Sequence, residues 1–262
     1  MHDRLTIDRF DRICVLLPAY NESARVAEVV RGALALTLAD ARVSVVVVDD
    51  GSTDDTVSRA RAAGARVVSL GKNLGVGAAL RRGFELARAE AFDFLVHIDA
   101  DGQLDPAQIP LLLAPVRQGE ADAAIGTRFR GAPPGYLGPV KAFALKSLAA
   151  AVGLAVDSPL TDLSCGIRAL NKAALHAARP RFEYDYIQET LLQFFAARLR
   201  VVEVPVLAVG RDGPRGISAR TFHYTVRYLL LLAFSLSHFY LSRLKRLVLP
   251  PAAELRLRGA DR

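Results

Sequence analysis

Short apolar runs alternate with longer stretches of helical period along the chain from residue 13 onward. Runs rich in valine and isoleucine are typical of buried strands. They predict strands at residues 13–17, 43–48, 66–69, 94–98, 121–126, 167–170 and 201–206. Apolar residues three and four positions apart predict helices at residues 23–38, 54–63, 76–90, 106–118, 141–152 and 185–199. Ser23 is the expected N-cap of the first helix.

Strands that are apolar on both faces and alternate with helices indicate an α/β fold. Its sheet is expected to be mostly parallel, Rossmann-like and flanked by helices. The chain has 262 residues, of which 52% are hydrophobic and 23% charged, so it can bury a sizeable core and is not disordered. The two cysteines, Cys14 and Cys165, are too few for a disulfide framework and favour a reducing compartment.

The net charge of +7 is confined to the end of the chain. Residues 211–262 contain 10 Lys and Arg but 3 Asp and Glu, which leaves 24 of each sign in residues 1–210. A neutral body of this size argues against a nucleic-acid-binding protein. We therefore predict a catalytic domain at residues 1–210 and a basic tail at residues 211–262.

The tail contains an amphipathic segment. Residues 228–242 include no Lys, Arg, Asp or Glu, and as a helix these residues would extend about 22 Å, short of the bilayer core of about 30 Å. A stripe with Arg227, Lys245 and Arg246 lies opposite a wide apolar side. This pattern is typical of a helix that lies in a membrane interface. A helix that packs on the body or forms a homo-oligomer is the alternative.

Polar clusters follow the first, second and fourth predicted strands, at the edge where parallel sheets collect their ligands. They are Pro18-Ala19-Tyr20-Asn21-Glu22, Asp49-Asp50-Gly51-Ser52 and Asp99-Ala100-Asp101-Gly102-Gln103. Asp99 and Asp101, with the amide oxygen of Gln103, can converge on one hard cation. Oxygen ligands of this kind suit Mg²⁺ or Mn²⁺ held jointly with a diphosphate. An Asp-rich turn without a ligand is the alternative.

A dinucleotide-dependent dehydrogenase would also place an acidic residue after its second strand. That class needs a glycine-rich turn after the first strand, and residues 18–22 contain no glycine. The sequence therefore argues against a dehydrogenase. His97 precedes the third cluster without a set of neighbouring His or Cys ligands, so a packing role is expected for it.

In their order and spacing, these clusters resemble the family-2 glycosyltransferases of the GT-A fold, in particular the dolichol- or polyprenyl-phosphate mannose and glucose synthases. The resemblance covers about residues 12–220. Further matching segments are Asn73-Leu74-Gly75, Gly126-Thr127-Arg128, Asp162-Leu163-Ser164-Cys165-Gly166-Ile167-Arg168, Glu203-Val204-Pro205-Val206 and Gly216-Ile217-Ser218.

The resemblance implies a role for each matching position. The residues that would hold the nucleotide sugar are Pro18, Tyr20, Glu22, Val48, Asp50, Asp99 and Ala100. Asp99, Asp101 and Gln103 would ligate the metal, and Arg128 would meet the phosphates. The loop at residues 211–220, with Arg215 and Ser218, would hold a phosphate, although Ala219 stands where the family has a lysine. We expect Asp162 on the acceptor side, with a loop turn as the alternative.

The implied activity is metal-dependent, inverting transfer of a sugar from GDP-mannose or a UDP-sugar to polyprenyl or dolichyl phosphate. The implied location is peripheral, on the cytoplasmic face of the membrane. The chain offers more arginines than carboxylate bases near the site, which favours an anionic phosphate acceptor. Transfer to a lipid or saccharide hydroxyl, and a non-catalytic subunit that binds nucleotide sugars, are the alternatives.

Overall fold

A seven-stranded sheet forms the centre of the protein. The computed structural model describes residues 10–130, 135–181 and 186–210, together with Ser237 and Tyr240. The strands are β1 (Asp11–Ala19), β2 (Ala41–Asp49), β3 (Arg66–Ser69), β4 (Phe94–Ile98), β5 (Ala123–Thr127), β6 (Ile167–Asn171) and β7 (Val201–Pro205). Their order is β3-β2-β1-β4-β6-β5-β7, and β6 alone among them runs antiparallel to its neighbours. The predicted α/β fold with a mostly parallel sheet is confirmed.

Helices cover both faces of the sheet because successive strand residues point to opposite sides. They are α1 (Val26–Leu34), α2 (Thr56–Ala62), α3 (Val76–Ala89), α4 (Ile109–Arg117), α5 (Pro139–Val156), α6 (Lys172–Ala177) and α7 (Tyr186–Ala196). Ile13, Val15 and Leu17 of β1 share one core with α1, α2 and α4. Cys14 and Leu16 share the other core with α3, α5, α6 and α7.

Two local predictions from the sequence are wrong. Ser23 does not cap α1: the helix begins at Val26, and the Ser23 backbone N–H donates to Asp54 instead. The helix α6 is absent from the sequence-based prediction, because six residues with two buried side chains, Ala174 and Leu175, give too little helical period to detect.

Helix α5 is more apolar on its outer face than a surface helix usually is. Its inner face packs Ala149, Val152 and Val156 into the core. On the outer face Val140, Phe143 and Leu154 are 82%, 74% and 87% exposed. By length and composition α5 is the one helix of the described residues that could cross a membrane, with 18 residues. Its inner face belongs to the core, so the outer face is the part of the helix that stays exposed.

Asp122 ties three strands together at the amino end of β5. Its carboxylate accepts hydrogen bonds from the Arg200 backbone and guanidinium before β7 and from Asn171 Nδ2 at the end of β6. The hydrogen bonds from Arg200 outweigh burial and lower the pKa of Asp122 to about 2. The charged carboxylate is therefore the form that the fold stabilises.

We predict that Asp122→Asn lowers the melting temperature by about 2–4 °C at pH 7. A carboxylate with a lowered pKa contributes stability above its unfolded pKa of about 3.9 and loses it as the pH falls towards the folded value. Thermal unfolding of both proteins at pH 7 and near pH 2.5 would measure this, and the difference should shrink at the lower pH. An equal difference at both pH values would contradict the assignment.

Candidate functional site

The three predicted polar clusters meet in one cleft. Strands β2, β1 and β4 are adjacent, so their carboxyl ends lie side by side. The cleft has a volume of about 200 Å³. Its lining includes Pro18, Ala19, Tyr20, Glu22, Asp50, Asn73, Gly75, Val76, Ala79, Asp99, Ala100 and Asp101. Seven of the residues predicted to bind nucleotide or metal are in this lining. A larger cavity beside α4 and the start of β1 lies at the opposite edge, away from these groups.

Asp50 shapes one wall of the cleft through backbone contacts. Its two carboxylate oxygens accept from the N–H groups of Leu74 and Gly75, at 2.7 and 2.8 Å. Gly51 has a φ of +74°, and a Cβ there would come 2.4 Å from the Lys72 carbonyl carbon, so the turn requires glycine. The loop before α3 is thereby held against the end of β2. The amino end of α3 then borders the cleft, where its dipole favours an anion.

A second pair of loops supports the opposite wall. The Asn21 backbone N–H donates to Ser52 Oγ, and Asn21 Oδ1 accepts from the Thr53 N–H. The Glu22 N–H donates to Thr56 Oγ1, at 2.8 Å. These contacts fix the loop that presents Tyr20, whose ring is 43% exposed at the cleft. The first and second polar clusters are therefore one hydrogen-bonded unit.

The turn after β4 brings together the predicted metal ligands. Asp99 and Asp101 both line the cleft, and Asp101 Oδ1 accepts from the Gln103 N–H at 3.0 Å. Gln103 has an additional role that was not predicted: its Nε2 donates to the Val209 carbonyl, and the Val209 N–H donates to the Gln103 carbonyl. Ligation of a metal by Gln103 stays a prediction.

Gln108 makes a similar connection to the segment after β7. Its Nε2 donates to the Leu207 carbonyl at 2.8 Å, and its Oε1 accepts from the Leu207 N–H at 2.6 Å. Together with the Leu104–Ala208 bridge, this attaches residues 207–209 to the turn after β4 that carries the predicted metal ligands. The residues immediately before the predicted phosphate loop are therefore fixed beside Asp101.

Arg128 lies at the carboxyl end of β5 in a buried hydrogen-bonded network. Its Nε and Nη2 donate to the two carboxylate oxygens of Asp162, at 2.7 and 2.9 Å, and Nη2 also donates to Ser164 Oγ. Burial opposes the charge of Arg128, but the hydrogen bonds and charge of Asp162 prevail and raise its pKa above the usual value. Arg128 therefore stays cationic in one fixed orientation.

Glu203 of β7 holds the turn that carries Asp162. Its carboxylate accepts from the backbone N–H groups of Thr161 and Asp162 and is paired with Arg130 Nε at 3.2 Å. The side chain is only 2% exposed. The sequence singled out Glu203 only as part of a matching segment, because nothing local shows that β7 lies beside β5. Glu203 positions the turn that holds Asp162.

Two predicted site residues, Val48 and Asp162, lie elsewhere than expected. Val48 is fully buried in the core and is not in the cleft lining, so its side chain cannot hold a nucleoside. The Asp162 side chain has no exposed surface and holds Arg128, so it is a positioning residue for Arg128 and does not contact an acceptor. Burial raises the pKa of Cys165 to about 12, which keeps that thiol protonated. Arg215 and Ser218 lie outside the described residues.

Three aspartates and a helix amino end in a cleft at the carboxyl edge of an α/β sheet, with a fixed arginine at the end of β5, are typical of the class of proteins that bind phosphorylated nucleotides. Residues 14–177 match the sequence family described as Glycosyl transferase family 2, and the chain belongs to that family. The predicted family and its GT-A fold are confirmed.

Similar curated proteins include glycosyltransferase AglD of Haloferax volcanii, 33% identical over 74% of this chain and 32% of AglD. The undecaprenyl-phosphate mannosyltransferase of Micrococcus luteus is 33% identical over 77% of this chain and 85% of that protein. The chain spans 32%, 62% and 33% of the lengths of the first three curated relatives that it matches.

Among solved structures, glucosyl-3-phosphoglycerate synthase from Mycobacterium tuberculosis, in complex with Mn²⁺, UDP and glucosyl-3-phosphoglycerate, has a similar fold. The TM-score is 0.67 at 26% identity, covering 86% of this chain and 80% of that chain. Another structure of that enzyme contains Mg²⁺ and UDP.

We predict that Asp162→Asn and Arg128→Ala each reduce turnover by about 10–100-fold, since each disrupts the same guanidinium. The double variant should lose little more than the Arg128 variant, because Asp162 acts through Arg128. Steady-state transfer kinetics of the four proteins, with melting temperatures to confirm folding, would measure this. Losses that multiply in the double variant would show that Asp162 acts independently.

Proposed function

We propose that this protein transfers a sugar from a nucleotide-sugar donor to a polyprenyl phosphate, with Mg²⁺ or Mn²⁺ as cofactor and with inversion at the anomeric carbon. The observation that carries the proposal is that the site has two chemically different parts, one acidic and one basic. The cleft offers carboxylates for a metal–diphosphate, while the end of β5, two strands from β4, offers a fixed cation and, among the residues that the structure describes, no available base.

The donor end suits a metal held jointly by protein and substrate. Among the described residues, no group of three or more His, Cys, Asp or Glu side chains could hold a metal alone. Asp99 and Asp101 supply two carboxylates, which is the protein share typical of Mg²⁺ sites completed by substrate phosphates. The bound metal would offset the charge that develops on the leaving diphosphate. Tyr20, Glu22 and the loop held by Asp50 would bind and orient the nucleoside.

The acceptor end suits an anion better than a hydroxyl. The described acidic residues after Arg128 are Asp157, Asp162, Glu189 and Glu203. Asp162, Glu189 and Glu203 are each buried and paired with an arginine, and Asp157 ends α5 on the surface. A hydroxyl acceptor needs a base to take its proton, whereas a phosphate is already ionised. Arg128 would attract that phosphate, with Arg215 and Ser218 as further proposed contacts.

The reaction follows from this arrangement. A phosphate oxygen of the acceptor forms a bond to the anomeric carbon as the bond from that carbon to the diphosphate breaks. Attack from the side opposite the leaving diphosphate inverts the configuration. The curated name of the Micrococcus luteus relative, an undecaprenyl-phosphate mannosyltransferase, supports this acceptor class. The glucosyl-3-phosphoglycerate synthase structures support a second candidate, a small soluble acceptor that carries a phosphate.

A transfer assay tests the proposal. The full chain is incubated with radiolabelled UDP-glucose, UDP-N-acetylglucosamine or GDP-mannose and with polyprenyl phosphate, with the matching polyprenol as control. We expect label on polyprenyl phosphate with Mn²⁺, none on polyprenol and none with EDTA, and an inverted anomeric configuration by NMR. Asp101→Asn should lower the rate of sugar transfer by about 100-fold or more while the variant remains folded. Label on polyprenol or on phosphoglyceric acid instead would contradict the proposed acceptor.

We also propose that the outer face of α5 rests on the cytoplasmic face of an anionic membrane. Val140, Phe143 and Leu154 lie on one stripe of the helix, at about 100° of rotation per residue, and Lys141 and Lys146 flank that stripe on either side. Helix α5 is apolar all round, so packing its inner face into the core leaves an apolar outer face, flanked by lysines, that can rest on a membrane interface. Tyr240 of the tail is helical, and its hydroxyl donates to the Ala155 carbonyl near the end of α5. The tail would therefore extend the same surface, which supports a peripheral location.

We predict that Lys141→Glu with Lys146→Glu reduces sedimentation with phosphatidylglycerol-containing vesicles by about tenfold or more at low salt. Each basic residue near an anionic surface contributes about 1 kcal/mol, and salt weakens the attraction. The control is Arg31→Glu with Arg61→Glu, which makes the same charge change on the exposed surfaces of α1 and α2 across the sheet. Equal sedimentation of wild type and the α5 variant would contradict this surface and leave packing or dimerisation as the role of the apolar faces.

A further inference from the structure

His97 contacts one of the two predicted metal-binding aspartates. His97 lies on β4 two residues before Asp99, so both side chains point to the same face of the sheet. Its Nε2 is 3.3 Å from Asp99 Oδ1, and its ring packs edge-on against Tyr186, with centroids 5.7 Å apart. Because a carboxylate only accepts, Nε2 carries the proton in this contact. The expected packing role therefore accounts for only part of what His97 does.

Gly166 borders the other oxygen of the same carboxylate. The register of β4 with β6 pairs Ile98 with Ile167, which places Gly166 opposite Asp99. A Cβ at Gly166 would lie 1.8 Å from Asp99 Oδ2, and its three nearest atoms all belong to the Asp99 carboxyl group. The absence of a side chain at position 166 is what gives Asp99 its room.

The Asp99 carboxylate is held from two sides by these residues. Among the described residues, His97 is its hydrogen-bond donor. His97 itself is buried, with its side chain 2% exposed, so its ring has little freedom to move. A carboxylate fixed before ligand binding loses less conformational freedom when a metal arrives, and partners behind a ligand commonly change metal affinity by about 10–100-fold.

We propose that His97 and Gly166 are positioning residues that fix the Asp99 carboxylate for the metal–diphosphate. This inference rests on the proposed function, since it assumes that Asp99 takes part in the metal site. It does not depend on the charge of the imidazole, because an amide donor at the same position would make the same contact. His97 fixes the orientation of Asp99 Oδ1 by a hydrogen bond, and Gly166 leaves the space that Asp99 Oδ2 occupies.

Metal binding to His97→Gln and His97→Leu distinguishes positioning from packing. Mn²⁺ is titrated by calorimetry into the full chain saturated with UDP or GDP, whichever the wild type binds more tightly. We expect the Mn²⁺ affinity of His97→Gln to stay within about threefold of the wild-type affinity, and that of His97→Leu to fall by about tenfold. His176→Leu, an exposed histidine on α6, is the matched control and should bind as wild type does.

The outcomes separate the two levels of the proposal. A leucine variant that binds Mn²⁺ as tightly as wild type would overturn the role of His97 alone. A wild-type chain that is saturated with UDP or GDP but shows no Mn²⁺ binding in this titration would overturn the metal site and, with it, this inference. Melting temperatures of both His97 variants verify that lost affinity does not come from unfolding.

A stability cycle tests Gly166 without any metal. Gly166→Ala should lower the melting temperature by about 5 °C in the wild-type background, because its methyl group collides with Asp99. In an Asp99→Ala background, which removes those atoms, the same substitution should cost less than about 1–2 °C. Equal shifts in the two backgrounds would overturn the claim that Gly166 makes room for Asp99.

Discussion

The reversed direction of β6 is the constraint on which the site depends. Because β6 is antiparallel between β4 and β5, it begins at the edge where its neighbours end. The turn before it, residues 161–166, therefore lies at the same edge of the sheet as the cleft. That turn delivers Gly166 to Asp99 and Asp162 to Arg128. In an all-parallel sheet, the chain before this strand would lie at the opposite edge, and neither contact would exist.

Acidic residues at this edge divide into buried ones that bind other parts of the protein and ones that keep exposed surface at the cleft. Asp50 binds the backbone of the loop before α3, Asp162 binds a guanidinium, and Glu203 binds the turn that carries Asp162. Each is buried, so each needs fixed hydrogen bonds to stay ionised. Asp99 and Asp101 keep part of their surface at the cleft. Burial, more than residue type, therefore separates the aspartates that build the site from those that can bind a ligand.

Much of the fold could be predicted from the sequence, because buried strands and amphipathic helices leave a period in the chain. All seven strands of the described residues fall within a few residues of the predicted positions. The period carries no information about neighbours in the sheet, so the partner of β7, the direction of β6 and the contacts of Glu203 could not be predicted. Ser23 failed as a cap because a tertiary partner, Asp54, binds both its hydroxyl and its backbone N–H.

The site residues show the same division. Clusters that are contiguous in sequence, such as Asp99 to Asp101, could be predicted because the end of one strand keeps them together. Val48 was misplaced because a resemblance to family members shows a position but not which way its side chain points. His97 was interpreted as a packing residue because the sequence shows only that it lies on a buried strand. The contact between His97 Nε2 and Asp99 Oδ1 depends on the rotamers of both side chains, which the sequence does not show.

The hydrogen bonds from Gln103 and Gln108 to residues 207–209 have a consequence for how such chains vary. They fix the point at which the polypeptide leaves the sheet, beside the turn that carries Asp101. Whatever follows residue 210 starts from the same place and direction, whether it is short or long. These hydrogen bonds hold residues 207–209 against the turn that carries Asp101 without using any residue after position 210. The two glutamines therefore fix the end of the described sheet region by hydrogen bonds of their own.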